Sequence, residues 1–243
     1  QTWKEVNGNF LIALFIGIFI SVVSLAKLIK WLLVHQPILL WAFFFGLVLA
    51  SVIYIAKQIT QWKPATILIL LVGAFIAYFI TTLNPLVSDN ASPLFLFLAG
   101  AIAICAMILP GISGAFILVL LGAYQPVLTA VNERDFALIG LIGLGAIVGL
   151  LSFSKILKWL FAHYKNLTLA ALTGFIIGSL NKIWPWKETL TTRINSKGIE
   201  VPLLEKSILP SSYSGEPQLG FAIILALLGF VLILFLEKLA VKK

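Results

Sequence analysis

The chain has 243 residues, of which 61% are hydrophobic and only 11% are charged, and its formal net charge is +8. Because a soluble domain usually has about 25% charged residues, this composition excludes an ordinary globular protein. The basic residues are spread along the chain without a Lys/Arg block, so we expect attraction to anionic lipid and no nucleic-acid partner.

Long runs without Asp, Glu, Lys or Arg predict membrane-spanning helices, since one span needs about 20 apolar residues. In chain order, these runs cover residues 6–26, 31–56, 64–88, 90–132, 136–154, 166–181 and 217–236. The run 90–132 is too long for one helix, and Pro110 and Gly111 interrupt it. Two half-helices or two short spans are predicted there. The predicted fold class is an all-α polytopic membrane protein.

An internal repeat relates residues 10–52 to residues 138–180 at an offset of 128 positions, without gaps. The eleven identities place SLAKLIKWL opposite SFSKILKWL, and each segment is followed by one of the two histidines. The chain crosses the membrane an odd number of times between the copies. We therefore predict inverted-topology repeats with broken, re-entrant helices, an architecture that places a binding site at the repeat interface.

The repeat also divides the chain into segments. We predict that residues 1–88 are the remainder of the first repeat and that residues 89–184 are the second, with its broken helix pair at 94–130. Residues 185–217 are predicted as an extracytoplasmic polar loop, and 218–243 as a C-terminal transmembrane helix with a basic tail. The lysine distribution places both termini in the cytoplasm. The offset leads us to expect a first broken helix pair upstream of Gln1.

The sharpest local signal is LPGISGAFILVLLGAY, residues 109–124. The interruption frees backbone N–H groups, which are costly in lipid unless a partner satisfies them. Together with a serine hydroxyl they suit a phosphate, without any buried cation. The alternative is a plain helix kink in which the serine caps the second half. The candidate substrate-binding residues here are Pro110, Gly111, Ile112, Ser113 and Gly114.

Four further polar residues are candidates for contacts with a negatively charged headgroup. Lys27 and Lys155 are repeat partners, each followed by a second lysine and a tryptophan, and inverted topology places them on opposite sides of the membrane. Their alternative role is snorkelling to the headgroup region. Asn181 and Lys182, in GSLNKIWPWK, are predicted to form a polar lip over the site, or else part of an interfacial aromatic belt.

Signatures of an enzyme are absent from the sequence. It has no Walker-type glycine loop, no His-Glu zinc arrangement and no pair of carboxylates within a span. We therefore predict no catalytic residue, no metal ligand and no cofactor. Cys105 stands alone in an apolar stretch, which favours a small buried side chain. For His35 and His163, a helix-end or surface role is favoured over proton relay.

Three segments resemble the bacterial polyprenyl-phosphate transporter family: FLAGAIAICAMILPGISGAFILVLLGAY (97–124), SFSKILKWL (152–160) and GSLNKIWPWK (178–187). The resemblance covers nearly the whole chain. It implies transport of undecaprenyl phosphate, or a related polyprenyl phosphate, from the outer to the inner leaflet of the bacterial cytoplasmic membrane for recycling in cell-wall synthesis. It also implies a PGxSGGT-like motif ahead of the region corresponding to Gln1, which this sequence does not contain.

Other functions stay open on the residues alone. An ion-coupled small-solute transporter or a channel would use the broken helices to bind a cation through backbone carbonyls. A membrane scaffold is disfavoured, because it has no need of an inverted repeat with a broken helix. Coupling to protons or sodium and the oligomeric state are left open by the residues.

Overall fold

The structure is a computed structural model, and it describes residues 8–83, 92–194 and 200–241. The helices are α1 (Gly8–His35), α2 (Pro37–Lys57), α3 (Pro64–Thr82), α4 (Pro93–Ile108), α5 (Gly114–Leu120), α6 (Tyr124–Asn132), α7 (Phe136–His163), α8 (Lys165–Ser179) and α9 (Leu219–Val241). Strands β1 (Lys187–Ile194) and β2 (Glu200–Ser207) form an antiparallel hairpin. Short 3-10 turns cover Leu180–Ile183 and Pro210–Ser212.

Local sequence signals set the start of several helices. Proline opens α2, α3 and α4, at a position where the missing N–H has no partner to lose. The Ser92 side chain accepts a hydrogen bond from the Phe95 amide at the start of α4. Asp135 caps α7 in the same way, through the Leu138 amide. These caps satisfy donors that the first helical turn leaves free.

The helices are those of a multi-pass membrane protein. Within the described residues, four of them are long and apolar enough to span a bilayer: Pro37–Lys57, Pro64–Thr82, Phe136–His163 and Leu219–Leu239. Helices α5 and α6 pass the same test only together, across a bend of 110°. The sequence-based prediction of a polytopic, mainly helical membrane protein is therefore confirmed.

The packing of the spans uses glycine at matching positions. Helix α2 packs on α9, and α3 packs on α8. A Cβ atom on Gly46 of α2 would collide with the backbone of Ala226 in α9, and a Cβ on Gly174 of α8 would collide with that of Leu70 in α3. Gly46 and Gly174 are partners in the 128-residue repeat, so the two helix pairs make equivalent close contacts.

The long apolar run breaks at the predicted place and again beyond it. Helix α4 ends at Ile108 and α5 begins at Gly114, with Gly111 between them at a φ of 89°. A second break separates α5 from α6, where Gly122 has a φ of 74°. Because both glycines adopt a left-handed conformation that other residues rarely tolerate, each can end a helix. The second break is not among the predictions from the sequence.

The hairpin lies in the segment predicted as a polar loop, and in the described ranges it is the departure from an all-α chain. A two-stranded hairpin is marginal by itself, and two tryptophans attach this one to the helices. The indole N–H of Trp184 donates to the Ile208 carbonyl at 2.8 Å, and that of Trp186 donates to the Pro217 carbonyl at 2.9 Å. Trp186 also belongs to a buried cluster with residues of α2 and α9.

Candidate functional site

The first helix break is packed directly against the end of α8. A Cβ atom on Gly111 would collide with the side chain of Ser179, the last residue of α8. The Ser179 hydroxyl is held in place by donating to the Ile176 carbonyl at 2.8 Å. Glycine at 111 is therefore required both for the close approach and for the positive φ. This contact brings the break beside the 3-10 turn that carries Lys182.

A cavity of about 520 Å³ opens at this junction, and we call it the polar cavity. It is built from α2, α3, the break, α5, the 3-10 turn and the hairpin. The lining residues are Trp41, Thr81, Gly111, Ile112, Ser113, Phe116, Lys182, Ile183, Lys187 and Glu205. Four of the candidates named from the sequence, Gly111, Ile112, Ser113 and Lys182, thus line one cavity.

Two lysines and one glutamate set the charge of the polar cavity. The Nζ of Lys187 lies 3.6 Å from Oε2 of Glu205, and the Nζ of Lys182 lies 4.0 Å from the same oxygen. The Lys187 side chain is only 9% exposed, whereas that of Lys182 is 35% exposed. Since one carboxylate faces two ammonium groups, the cavity keeps an excess of positive charge.

Aromatic rings hold the two ammonium groups towards the cavity. Lys187 Nζ lies 4.3 Å from the ring centroid of Trp41, and Lys182 Nζ lies 5.0 Å from that of Phe116. Both distances are within the range of cation–π attraction. The rings therefore stabilise the cations without neutralising them.

Burial lowers the pKa of Lys187 below its ordinary value. Desolvation is the largest cause, the negative charge of Glu205 opposes it, and the positive charge of Lys182 adds to it. The protonated amine is thus held in an environment that disfavours it, and a further anion in the cavity would stabilise it.

Residues of the break line the same cavity, among them Ile112 and Ser113. Ser113 is exposed, and its side chain does not cap α5. The Ile112 amide makes only a long contact of 3.5 Å to the Leu109 carbonyl, and within the described ranges the amides of Ser113 and Gly114 show no acceptor. Helix α5 has seven residues, so its dipole is small, and the lysines supply most of the positive charge.

Two candidates adjoining the break have structural contacts instead of lining the cavity. Gly114 is buried against Met107 and the Ala103 carbonyl of α4, where a Cβ atom has no room. Pro110 is half-buried and ends the turn after α4.

Asn181 connects three elements at the edge of the polar cavity. Its side-chain amide donates to the Thr81 hydroxyl of α3 at 3.5 Å, and its backbone carbonyl accepts from the Ser207 hydroxyl of β2 at 3.0 Å. Asn181 therefore holds α3 and the hairpin together beside the cavity, and does not itself line it.

Of the two repeat-related lysines, Lys155 is not brought to the polar cavity. Lys155 is exposed on α7 and lines neither of the two cavities described here. Lys27 lies in α1, and its side chain is outside the described part of the structure. Their predicted role in attracting a headgroup stays a prediction.

The two histidines make equivalent contacts at the ends of α1 and α7. Nδ1 of His35 lies 2.9 Å from the Trp31 carbonyl oxygen, and Nδ1 of His163 lies 3.0 Å from that of Trp159. Each imidazole also stacks on the same tryptophan. These are the helix-end contacts expected from the sequence.

The most buried cation of the polar cavity, Lys187, was not among the candidates named from the sequence. The structure adds a buried cation that the predicted phosphate cradle did not include, because strand β1 turns Lys187 inward; the cradle itself stays a prediction. Lys187 is the last residue of the quoted segment GSLNKIWPWK, five positions after Lys182. This closeness in the sequence could have indicated a second cation near Lys182. Glu205 and Trp41 lie in distant segments, and nothing in the sequence indicated that they join this cavity.

A second cavity of about 360 Å³ lies between α3, α7 and α8, and we call it the apolar cleft. Its lining residues are Ile69, Leu109, Phe153, Leu157, Leu160, Tyr164, Leu167, Thr168, Ala171, Leu172 and Phe175. The Thr168 hydroxyl is already satisfied, since it donates to the Tyr164 carbonyl at 3.0 Å. Leu109 lines the cleft and Gly111 lines the polar cavity, so the helix break separates the two.

Comparison with known proteins gives consistent matches. A family model described as undecaprenyl phosphate translocase-like matches residues 1–201. A polyprenyl-phosphate transporter of Vibrio cholerae is 50% identical over 246 residues, covering 99% of this chain and 79% of the relative. One of Staphylococcus aureus is 32% identical over 194 residues, covering 73% of this chain and 69% of the relative. No solved structure gives a significant match.

Proposed function

Because the chain belongs to the undecaprenyl phosphate translocase-like family, whose matched relatives are transporters and not enzymes, we propose that it carries a polyprenyl phosphate across the membrane. The phosphate binds in the polar cavity. The observation that carries this proposal is the pair Lys182 and Lys187, which share the carboxylate of Glu205 and line the same cavity as Ser113. A phosphate monoester carries a charge of about −1.5 to −2 at pH 7.

Binding has a clear electrostatic rationale. The phosphate oxygens accept hydrogen bonds from the ammonium groups of Lys182 and Lys187 and from Ser113, and charge-assisted bonds of this kind are stronger than neutral ones. The incoming anion also offsets the desolvation of Lys187. It competes with Glu205, which otherwise pairs with both lysines.

Inverted repeats supply the alternating access in this proposal. The equivalent glycine contacts of the α2–α9 and α3–α8 pairs support a two-fold relation between the copies, and the break at Gly111 supports a re-entrant α4–α5 segment. Rocking of one repeat against the other then exposes the site to either side. Lys27 and Lys155 attract the headgroup at the two mouths.

The proposal includes an orientation in the membrane and a direction of transport. The lysine bias places both termini in the cytoplasm and the hairpin on the outside of the bacterial cytoplasmic membrane. In the proposed cycle the polar cavity, which lies on the hairpin side, receives lipid from the outer leaflet and delivers it to the inner one. This is the direction needed to recycle undecaprenyl phosphate for cell-wall synthesis.

A lipid-translocation assay in proteoliposomes tests the proposal with two matched variants. Lys187→Gln removes a cation from the cavity, whereas Lys206→Gln removes one from the exposed face of the same hairpin. We expect Lys187→Gln to lower the translocation rate at subsaturating polyprenyl phosphate at least about tenfold, because losing a hydrogen bond to a charged group weakens binding on that scale. Lys206→Gln should transport normally.

Two results would overturn the proposal. Equal transport by both variants would exclude the polar cavity as the phosphate-binding site. Ion or small-solute flux that ignores polyprenyl phosphate would favour the ion-coupled transporter or channel instead.

A further inference from the structure

We propose that the apolar cleft binds the first isoprenoid units of the lipid whose phosphate occupies the polar cavity. The inference rests on the proposed function, because the phosphate fixes which end of the molecule is nearby. It assigns the cleft a ligand of stated chemistry, a branched hydrocarbon chain attached to a phosphate.

The first argument is the short distance between the two cavities, which lie on the two sides of the break. Leu109 lines the cleft and Gly111 lines the polar cavity. Two residues of extended backbone span at most about 7 Å. A chain attached to a phosphate near Ser113 therefore needs only to pass the break to reach the cleft.

The second argument is the order of surfaces along α8. Five residues of one α8 face line the cleft, from Leu167 to Phe175. Ser179, which contacts the break, follows one helical turn later, and Lys182 comes next in the chain. At about 1.5 Å of rise per residue, the apolar face is about 12 Å long and ends about 6 Å before Ser179. An apolar surface followed by a cation matches the hydrocarbon chain followed by the anionic headgroup of a lipid phosphate.

The third argument is the chemistry of the walls. Leucine, isoleucine and phenylalanine dominate them, and the Thr168 hydroxyl is satisfied inside α8. Water gains little in such a cleft, because it needs two or more polar partners to be held. A hydrocarbon chain gains contacts with every wall.

Narrowing the cleft with tryptophan tests this inference. Leu157→Trp projects from α7 into the cleft, and Leu167→Trp does so from α8. Ile156→Trp is the matched control, since Ile156 is the neighbour of Leu157 on α7 but is exposed and does not line the cleft. The probes are geranyl phosphate and methyl phosphate, which share a headgroup and differ in the chain.

Affinities of the full chain in detergent, measured by calorimetry, give the readout. We expect the wild type to bind geranyl phosphate at least about tenfold more tightly than methyl phosphate, since each buried methylene contributes roughly fourfold. Leu157→Trp and Leu167→Trp should reduce this ratio to below about threefold without changing the affinity for methyl phosphate. Ile156→Trp should keep the wild-type ratio.

Other outcomes overturn the inference in distinguishable ways. An unchanged ratio in both cleft variants would exclude the cleft as the chain site and leave the phosphate site standing. If the cleft variants lost affinity equally for geranyl phosphate and methyl phosphate, the substitutions would be acting on the headgroup site. That result would also count against the cleft as the chain site. A wild type that binds neither phosphate would overturn the proposed function and the cleft together.

Discussion

The polar cavity and the apolar cleft lie on the two sides of one helix break, yet they are built differently. The cleft is formed by α3, α7 and α8 together with Leu109, whereas the polar cavity also needs the β-hairpin, which contributes Lys187 and Glu205. Apolar helices thus give shape and hydrocarbon surface, and the hairpin together with the 3-10 turn gives charge. The membrane-spanning helices therefore do not need to hold a buried ion.

The largest effect is expected where the two cavities meet, at Gly111. Alanine there adds a Cβ that collides with Ser179 and forces a positive φ on a residue that resists it. We expect a loss of roughly 2–5 kcal/mol in stability and of most transport activity. Thermal unfolding and translocation assays measure the two effects.

Gly140→Ala on α7 is the control for this substitution, because no atom lies within 4 Å of the added Cβ. It should leave transport intact and the stability equal or slightly higher, by up to about 1 kcal/mol. If Gly111→Ala behaved like Gly140→Ala, the break would not separate two functional cavities.

A smaller effect, of opposite sign, is expected in the polar cavity alone. Glu205→Gln removes the carboxylate that pairs with Lys182 and Lys187, so phosphate binding no longer has a competitor. We expect the affinity for methyl phosphate to rise by about three- to tenfold, in calorimetric titrations.

Glu188→Gln, on the exposed side of β1, is the matched control for the loss of one acidic charge and should change the affinity little. Weaker phosphate binding by Glu205→Gln than by the control would show that Glu205 positions the lysines instead of competing with the ligand.

The smallest expected effect is a change in phosphate affinity with pH. The pKa of Lys187 is lowered by burial from the ordinary value of 10.5, so on raising the pH this amine loses its proton before an exposed lysine does. A bound phosphate stabilises the charged amine and raises that pKa again. Phosphate affinity should therefore fall as the pH rises through the lowered pKa of Lys187.

Lys187→Arg sharpens this test, because a guanidinium stays protonated throughout the range. The alkaline fall in affinity should disappear in that variant. An identical fall in wild type and Lys187→Arg would assign the titration to another group.

The parts of the molecule that depend on local chemistry could be predicted from the sequence. The break at Pro110 and Gly111 follows from two residues that cannot continue a helix, and the spans follow from uninterrupted apolar runs. The second break, at Gly122, is not among the predictions from the sequence. Ser113 and Lys182, both named as candidates from the sequence, line one cavity, and their role in binding stays a prediction.

The parts that depend on long-range pairing could not be predicted. Glu205 reaches Lys187 only because β2 pairs antiparallel with β1, and the register of a hairpin in a polar segment leaves a weak pattern. Trp41 comes from a helix far away in the chain. Lys155 is the opposite case: the sequence repeat made it a candidate, but it lies outside both cavities.

The most direct measurement is a cryo-electron microscopy map of the protein reconstituted with undecaprenyl phosphate. The account predicts phosphate density within hydrogen-bond distance of Lys187 Nζ and Ser113 Oγ, with chain density passing Leu109 into the apolar cleft. Phosphate density elsewhere, with the Lys187–Glu205 pair intact and the cleft filled by side chains, would contradict it.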